Sequence, residues 1–194
     1  MIKTRIMGVD QSINSTGVCI YGIGENHRFS TTYYNIVPES KMTKKMKELK
    51  HNHLEYLTYT KQDGDDYESK EIAKTHNIME ICRHIESIIK QYKPKVLVME
   101  GVSYGSVGSA SLVDLAGLNF CIRMIAIKHN VEVRLASPMT VKKMATGNGG
   151  ALKDEMVWAW KKCDESMMGL VGIKIDDIAD AYFLARVYEN DYNK

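Results

Sequence analysis

Lys3-Thr-Arg-Ile-Met-Gly-Val-Asp10 runs into Gln11-Ser-Ile-Asn-Ser-Thr-Gly17, and the chain then returns as Val18-Cys-Ile-Tyr21. Two short β-rich runs joined by Asn, Ser and Gly indicate a hairpin. The first run ends in Asp10, a residue type that is rare in strands and costly to bury unless it is paired or bound to a metal. If Asp10 is considered by itself, a simpler explanation is that its side chain caps the backbone amides of the turn. Similar acids recur twice downstream, which favours a shared site.

The rest of the chain alternates between strand and helix patterns. Strands are predicted at 30–37, 95–100 and 131–136. Helices are predicted from Asp66 or Ser69 until just before Pro94, at 112–128, from Ser137 to about 145, at 151–163 and at 175–192. Residues 38–67 are predicted to be a long basic loop that holds a short helix or hairpin around 44–59. Together these elements predict one α/β domain over 1–194, with a mixed sheet of about five strands.

Composition indicates a globular protein of the cytosol. The 194 residues are 44% hydrophobic and 26% charged, which is enough apolar sequence for a core. No run of about 18 apolar residues or signal peptide is present, so no membrane partner is expected. The four cysteines form no CxxC pair and are predicted to be reduced core residues rather than zinc ligands. A cytoplasmic location follows.

Charge is divided into zones, although the net charge is only +2. One basic zone holds Lys44, Lys45 and Lys47, and another holds Lys142, Lys143 and Lys153. Acids gather near 63–66 and 176–180. Such zones suit a protein that binds a polyanion on one surface and a cation in one pocket. A solvated helix face would equally explain the run at 41–50 taken alone.

Four carboxylates are predicted to form the cation pocket. Asp10 and Glu100 end apolar strands, and functional sites of α/β sheets lie at strand carboxyl ends. Asp177 and Asp180 share a helix face in an apolar segment, and Asp176 and Asp180, four apart, are also close. A divalent cation would relieve the repulsion between these acids, and whether Asp176 replaces Asp177 as a ligand stays open. Helix-dipole stabilisation explains Asp176 and Asp177 but not Asp180. Oxygen ligands suit Mg²⁺, with Mn²⁺ as a substitute, and four acids could hold two ions for hydrolysis of a phosphodiester.

The order strand-Asp10, strand-Glu100 and helix Asp177-x-x-Asp180 resembles the RuvC family of Holliday junction resolvases, which have a ribonuclease-H-like fold. A second segment supports the resemblance: Val141-Lys-Lys-Met-Ala-Thr-Gly-Asn-Gly-Gly-Ala-Leu-Lys153 is similar to the family's V-K-x-x-x-x-G-x-G-x-A-x-K stretch. The matching motifs span the chain from Asp10 to 185. The Asp motifs occur in many nucleases of this fold, whereas the second segment combined with Asp177 and Asp180 is more specific.

The resemblance implies a role for each matching residue. Asp10, Glu100, Asp177 and Asp180 would bind two Mg²⁺ ions, and no small-molecule cofactor is implied. Among the remaining candidates, Lys153 would stabilise charge at the scissile phosphate, while the DNA contacts would come from Lys142, Lys143, Tyr104, Lys44, Lys45 and Lys47. Tyr104 would stack at the crossover, one place later than the family's aromatic residue. A homodimer would cut opposite strands of branched DNA. The extension at 38–67 makes the chain look like a phage or viral member.

Three other functions remain open at this point. The same fold and metals could serve a nuclease that cuts RNA–DNA hybrids or flap DNA. A junction-binding protein without catalysis would keep the basic zones, although the presence of all four acids argues against it. The hairpin at 8–17 also loosely resembles the phosphate-binding hairpin of actin-like or sugar-kinase-like ATPases, but the chain is short for their two lobes and has no second phosphate loop.

Overall fold

Six strands form one mixed sheet in the computed structural model, which describes residues 2–25, 29–102, 109–170 and 175–192. The strands are β1 (Ile2–Asp10), β2 (Thr16–Gly24), β3 (Phe29–Pro38), β4 (Leu54–Tyr59), β5 (Val96–Glu100) and β6 (Glu132–Ala136). Their order across the sheet is β4-β3-β2-β1-β5-β6. The predicted meander is confirmed, since β1, β2 and β3 pair antiparallel, while β5 and β6 add in parallel beside β1.

Helices cover both faces of the sheet. They are α1 (Lys44–Glu48), α2 (Tyr67–Tyr92), α3 (Ser109–Lys128), α4 (Pro138–Thr146), α5 (Lys153–Cys163), α6 (Asp176–Arg186) and α7 (Glu189–Tyr192). Of the two predicted starts of α2, Asp66 is the residue that caps the helix, and Ser137 caps α4 as predicted. The sequence predicted one final helix at 175–192, but the structure has two helices there. Helix α6 ends at Arg186 and α7 starts at Glu189. None of the helices in the described ranges is long and apolar enough to cross a membrane.

The predicted number of strands was wrong by one, and the difference lies in the 38–67 segment. β4 arises there and pairs in parallel with β3, from Tyr33↔Leu54 to Pro38↔Tyr59. A parallel strand needs a crossover, and here the crossover contains α1, whose Met46 is buried. The segment therefore contributes a short helix, as predicted, and an edge strand of the sheet rather than a long loop alone.

Two apolar layers hold the sheet between its helices. On one face, α4, α5 and α6 pack around buried Trp160 and Phe183, and on the other, α2 and α3 pack around Ile85 and Leu97. Helix α6 lies very close to β1 and β2. A methyl group at Gly8 would collide with the backbone of Ala181 and Ala185, and one at Gly17 with the backbone of Asp177. Glycine at both positions therefore lets α6 sit directly on the sheet.

Candidate active site

The ends of β1 and β5 bring the first two predicted acids to one edge of the sheet. The parallel register pairs Val9 with Met99, so Asp10 and Glu100, the next residue of each strand, emerge side by side. Because Gly17 lies under the backbone of Asp177, the first turns of α6 stand over this same edge. We call it the catalytic edge, defined by Asp10, Glu100, Asp177 and Asp180.

The charges of these four acids act on one another. Burial, followed by the charges of Asp180 and then Asp177, holds the pKa of Asp10 well above its usual range. Burial and the charge of Asp180 also raise the pKa of Glu100. Burial raises the pKa of Asp180 to about 6, although Lys153 opposes the shift. Several carboxylates in a partly buried space thus leave negative charge that protein groups compensate only in part.

Two lysines of the second predicted basic zone lie near enough to the catalytic edge for their charges to act on its acids. Lys153 Nζ donates to Asp176 Oδ2 at 2.7 Å, and this hydrogen bond raises the pKa of Lys153. Burial alone would raise the pKa of Asp176, but the bond and charge of Lys153 outweigh it, so that pKa is lowered. The charge of Lys142 opposes the upward pKa shifts of Glu100 and Asp180. Asp176 is therefore a lysine partner at the rim of the site.

Asp177 is held from the sheet side by residues that sequence reasoning missed. The Ser15 hydroxyl donates to Asp177 Oδ2, and the same Oγ lies 3.0 Å from Asn35 Oδ1. Ser15 and Asn35 are both buried. Asn35 in an otherwise apolar stretch of β3 was the signal available in the sequence, since a buried amide needs a polar partner.

Glu100 is held through its backbone. Its carbonyl oxygen accepts hydrogen bonds from Asn119 Nδ2 at 2.9 Å and from Gln11 Nε2 at 3.3 Å. Both amide side chains are buried, and their own oxygens have no hydrogen-bond partner among the described residues. These two amides fix the end of β5, and sequence reasoning did not foresee them either.

The donor set at this edge fits a hard divalent cation, because carboxylate oxygens are the ligands such ions prefer. After burial, the charge of Asp180 is the next cause that raises the pKa values of both Asp10 and Glu100, and a cation near these acids would offset that repulsion. Within the described ranges, however, no three acidic, histidine or cysteine side chains are already arranged to hold an ion. Asp177 is turned toward Ser15. The predicted ligand set therefore stays a prediction.

The other predicted DNA-binding lysines belong to α4 and α1 rather than to the strands and helix that form the catalytic edge. Lys143 is exposed on α4, about 100° around the helix from Lys142. The lysines of α1, namely Lys44, Lys45 and Lys47, are also exposed. Tyr104 lies outside the residues that the structure describes. Its stacking role stays a prediction.

More than half of the sequence matches the model of a known family. The family model described as "Crossover junction endodeoxyribonuclease RuvC" matches residues 52–186. The chain belongs to the RuvC family. A RuvC of Caldicellulosiruptor saccharolyticus is 28% identical over 182 residues, which cover 93% of this chain and 89% of that relative. RuvC membership makes the chain a crossover junction endodeoxyribonuclease by class, as the motifs predicted.

Solved structures confirm the ribonuclease-H-like resolvase fold. T. thermophilus RuvC in complex with a Holliday junction substrate superposes with a TM-score of 0.67 at 12% identity, covering 98% of this chain and 96% of that one. The Fowlpox virus resolvase in complex with Holliday junction DNA gives a TM-score of 0.53 at 13% identity, covering 98% of this chain and all of the other. Both superpositions cover nearly all of this chain, so its fold as a whole is similar to that of these two proteins.

Proposed function

We propose that this RuvC-family chain resolves four-way DNA junctions by divalent-metal-dependent hydrolysis of phosphodiester bonds near the branch point. The observation that carries the proposal is the meeting of Asp10, Glu100 and Asp180 at one sheet edge, where their pKa values are raised together. Perturbed acids in such a position are candidates for catalysis. Lys142 and Lys153 beside them supply positive charge for a phosphate.

Asp10, Glu100, Asp177 and Asp180 would hold the metal, for which Mg²⁺ is the first choice, Mn²⁺ a substitute and two ions the expected number. Such ions supply an activated water and stabilise the leaving 3′ oxygen. The carboxylates keep the ions in place and, once ionised, can accept a proton from the attacking water. The family model and the relative support hydrolysis of a phosphodiester as the reaction, because both carry the name of a crossover junction endodeoxyribonuclease.

Lys153 would move from its partner to the substrate. In the protein alone it is paired with Asp176 at 2.7 Å and 71% exposed, so a DNA phosphate can compete for it. Electrostatic stabilisation of charge that develops in the transition state accelerates the reaction more than it strengthens binding.

We therefore expect Lys153→Ala to slow cleavage of a bound junction by about 10²-fold and to weaken junction binding only a few-fold. Single-turnover cleavage and binding in Ca²⁺ separate the two quantities. Lys90→Ala serves as the control, since Lys90 pairs with Glu86 at the far end of α2. Equal losses in rate and affinity would reduce Lys153 to a tether for DNA.

The DNA interface would extend from Lys142 and Lys143 on α4 to the lysines of α1. The exposure of Lys44, Lys45 and Lys47 supports this, as phosphate contacts need accessible cations. Each lysine that touches a phosphate releases counterions and adds about one unit to the slope of log affinity against log salt.

Replacing Lys44, Lys45 and Lys47 with Gln is expected to weaken junction binding and to lower that slope by about one unit for each of these lysines that touches a phosphate. Affinity is measured between 50 and 200 mM salt. The control replaces Lys90, Lys93 and Lys128 with Gln, which removes the same charge near the ends of α2 and α3. An unchanged slope in the α1 variant would remove α1 from the interface.

A homodimer is proposed because two cuts in opposite strands need two sites. Helix α3 carries exposed apolar side chains on one face, at Val113, Phe120, Met124 and Ile127. Exposed apolar patches mark interaction surfaces, and a two-fold axis would let one such face pack on its copy. We likewise propose a cytosolic location and a phage origin. The described cysteines are all free, which supports the cytosolic location.

The decisive experiment is cleavage of an end-labelled, immobile four-way junction with Mg²⁺, with linear duplex of the same sequence alongside. Paired, symmetric nicks near the crossover are expected for the wild-type protein, and they would support both the resolvase activity and the dimer. Equal cutting of plain duplex would indicate a general nuclease. Junction binding with no cutting in Mg²⁺ or Mn²⁺ would indicate a binding protein.

A further inference from the structure

Ser15 lies between a buried amide and a predicted metal ligand. Its hydroxyl donates to Asp177 Oδ2 and lies 3.0 Å from Asn35 Oδ1. Ser15 is only 4% exposed and Asn35 is fully buried. Neither residue is accessible enough for a role in binding DNA, so the contact acts inside the protein.

The backbone fixes all three participants. Asn35 pairs with Gly17 across the β2–β3 ladder, and Ser15 precedes β2 by one residue. Gly17 also lies directly under the backbone of Asp177. The hydroxyl thus bridges the sheet and α6 at a point where both are already in close contact, which leaves it little freedom to turn away.

A hydroxyl has one proton and here two acceptors. The charged carboxylate of Asp177 is the stronger acceptor, so in the protein alone it takes the proton. A carboxylate accepts through two oxygens, so Asp177 can keep this hydrogen bond on Oδ2 when it also binds a cation. The buried hydroxyl therefore keeps a partner in both situations and avoids the cost of an unmade hydrogen bond.

We propose that Ser15, supported by Asn35, is a positioning residue that orients the Asp177 carboxylate for metal binding. This inference rests on the proposed function, because it assumes that Asp177 is a ligand. Groups that hydrogen-bond to metal ligands orient them, and their removal typically lowers metal affinity about 10- to 100-fold. Ser15 would act in this way through Asp177 without touching the metal or the DNA.

The test measures Mn²⁺ binding to the full chain by calorimetry without DNA, and then the Mn²⁺ dependence of junction cleavage. Ser15→Ala is expected to weaken Mn²⁺ binding about 10-fold and to shift the cleavage curve to higher metal by a similar factor. Ser15→Thr, which keeps the hydroxyl, should restore most of the affinity. Ser12→Ala is the matched control, since Ser12 Oγ accepts only from the Asn14 amide, at 3.3 Å, among the contacts described for it.

The outcomes separate this inference from the proposed function. Mn²⁺ binding and cleavage by the wild-type protein, with unchanged affinity in Ser15→Ala, would overturn the role of Ser15 alone. Equal weakening in Ser15→Ala and Ser15→Thr would overturn the hydroxyl as the active group. A lower unfolding temperature for Ser15→Ala with unchanged metal affinity would make Ser15 merely structural. No Mn²⁺ binding by the wild type would overturn both proposals.

Discussion

Asp10→Asn is expected to lower the rate of junction cleavage on the order of 10³-fold or more while it raises the unfolding temperature of the metal-free protein. The two effects have one cause. Asp10 is partly buried beside Asp180, Asp177 and Glu100, and these surroundings penalise its charge, as its raised pKa records. Asn has nearly the same shape and no charge. It therefore removes both the repulsion and one of the carboxylates proposed to hold the metal.

The pH dependence of the protein's stability follows from the direction in which folding shifts the pKa values of Asp180 and Asp10. The pKa of Asp180 rises from 3.8 to about 6 on folding, so the folded protein binds more protons than the unfolded chain between these values. Stability from this group is full at low pH and is lost as the pH rises through about 6. Asp10 acts in the same direction. Metal-free Asp10→Asn should therefore lose less stability than wild type between pH 4 and pH 7.

Thermal unfolding in EDTA, at several pH values, and single-turnover cleavage in Mg²⁺ measure the two effects. Asp65→Asn is the control, because Asp65 is an exposed acid and should leave both quantities unchanged. Added Mn²⁺ should stabilise wild type at pH 7 and stabilise Asp10→Asn much less. If Asp10→Asn still cleaved the junction, Asp10 would not be an essential metal ligand. If Asp10→Asn unfolded at a lower temperature than wild type in EDTA, charge repulsion at Asp10 would be contradicted.

The catalytic edge could be predicted from the sequence because its acids obey local rules. Asp10 and Glu100 follow apolar runs, and parallel strands bring such positions to one edge. The spacing of Asp177 and Asp180 places both on one helix face. Each rule needs only a short stretch of chain, and the fold confirmed that the two strands are neighbours.

Long-range pairing explains most of what sequence reasoning missed. β4 pairs in parallel with β3 across a crossover, so no turn signal joins the two strands as it does in a hairpin. The Lys153–Asp176 ion pair joins residues 23 apart, and no periodicity predicts it. Ser15 reaches Asp177 from a separation of 162 residues. A short polar residue in a turn is already accounted for by the turn itself, so the sequence gives no reason to expect a distant partner for it. Only the folded chain identifies that partner.

Gly8→Ala is expected to destabilise the protein by roughly 3 kcal/mol, the upper part of the range for overpacked cores. The added methyl would collide with the carbonyl oxygen of Ala181 and lie 3.0 Å from the Ala185 side chain. Neither obstacle is a flexible side-chain tip, so α6 has to move away from β1. Because the movement also carries Asp177 and Asp180, cleavage at a temperature where the variant stays folded should fall about 10²-fold, the size of effect that a 1 Å misplacement can have.

The matched control is Gly117→Ala, the same chemical change in a helix. A methyl at Gly117 would meet only Ile78 Cδ1, at 3.4 Å, which is ordinary contact with a side chain that can adjust. Ala also favours a helix over Gly by about 1 kcal/mol, so this variant should be as stable as wild type or more stable. Urea unfolding and single-turnover cleavage of both variants decide the matter. If Gly8→Ala matched Gly117→Ala in both measurements, close seating of α6 on the sheet would not be what positions the acids.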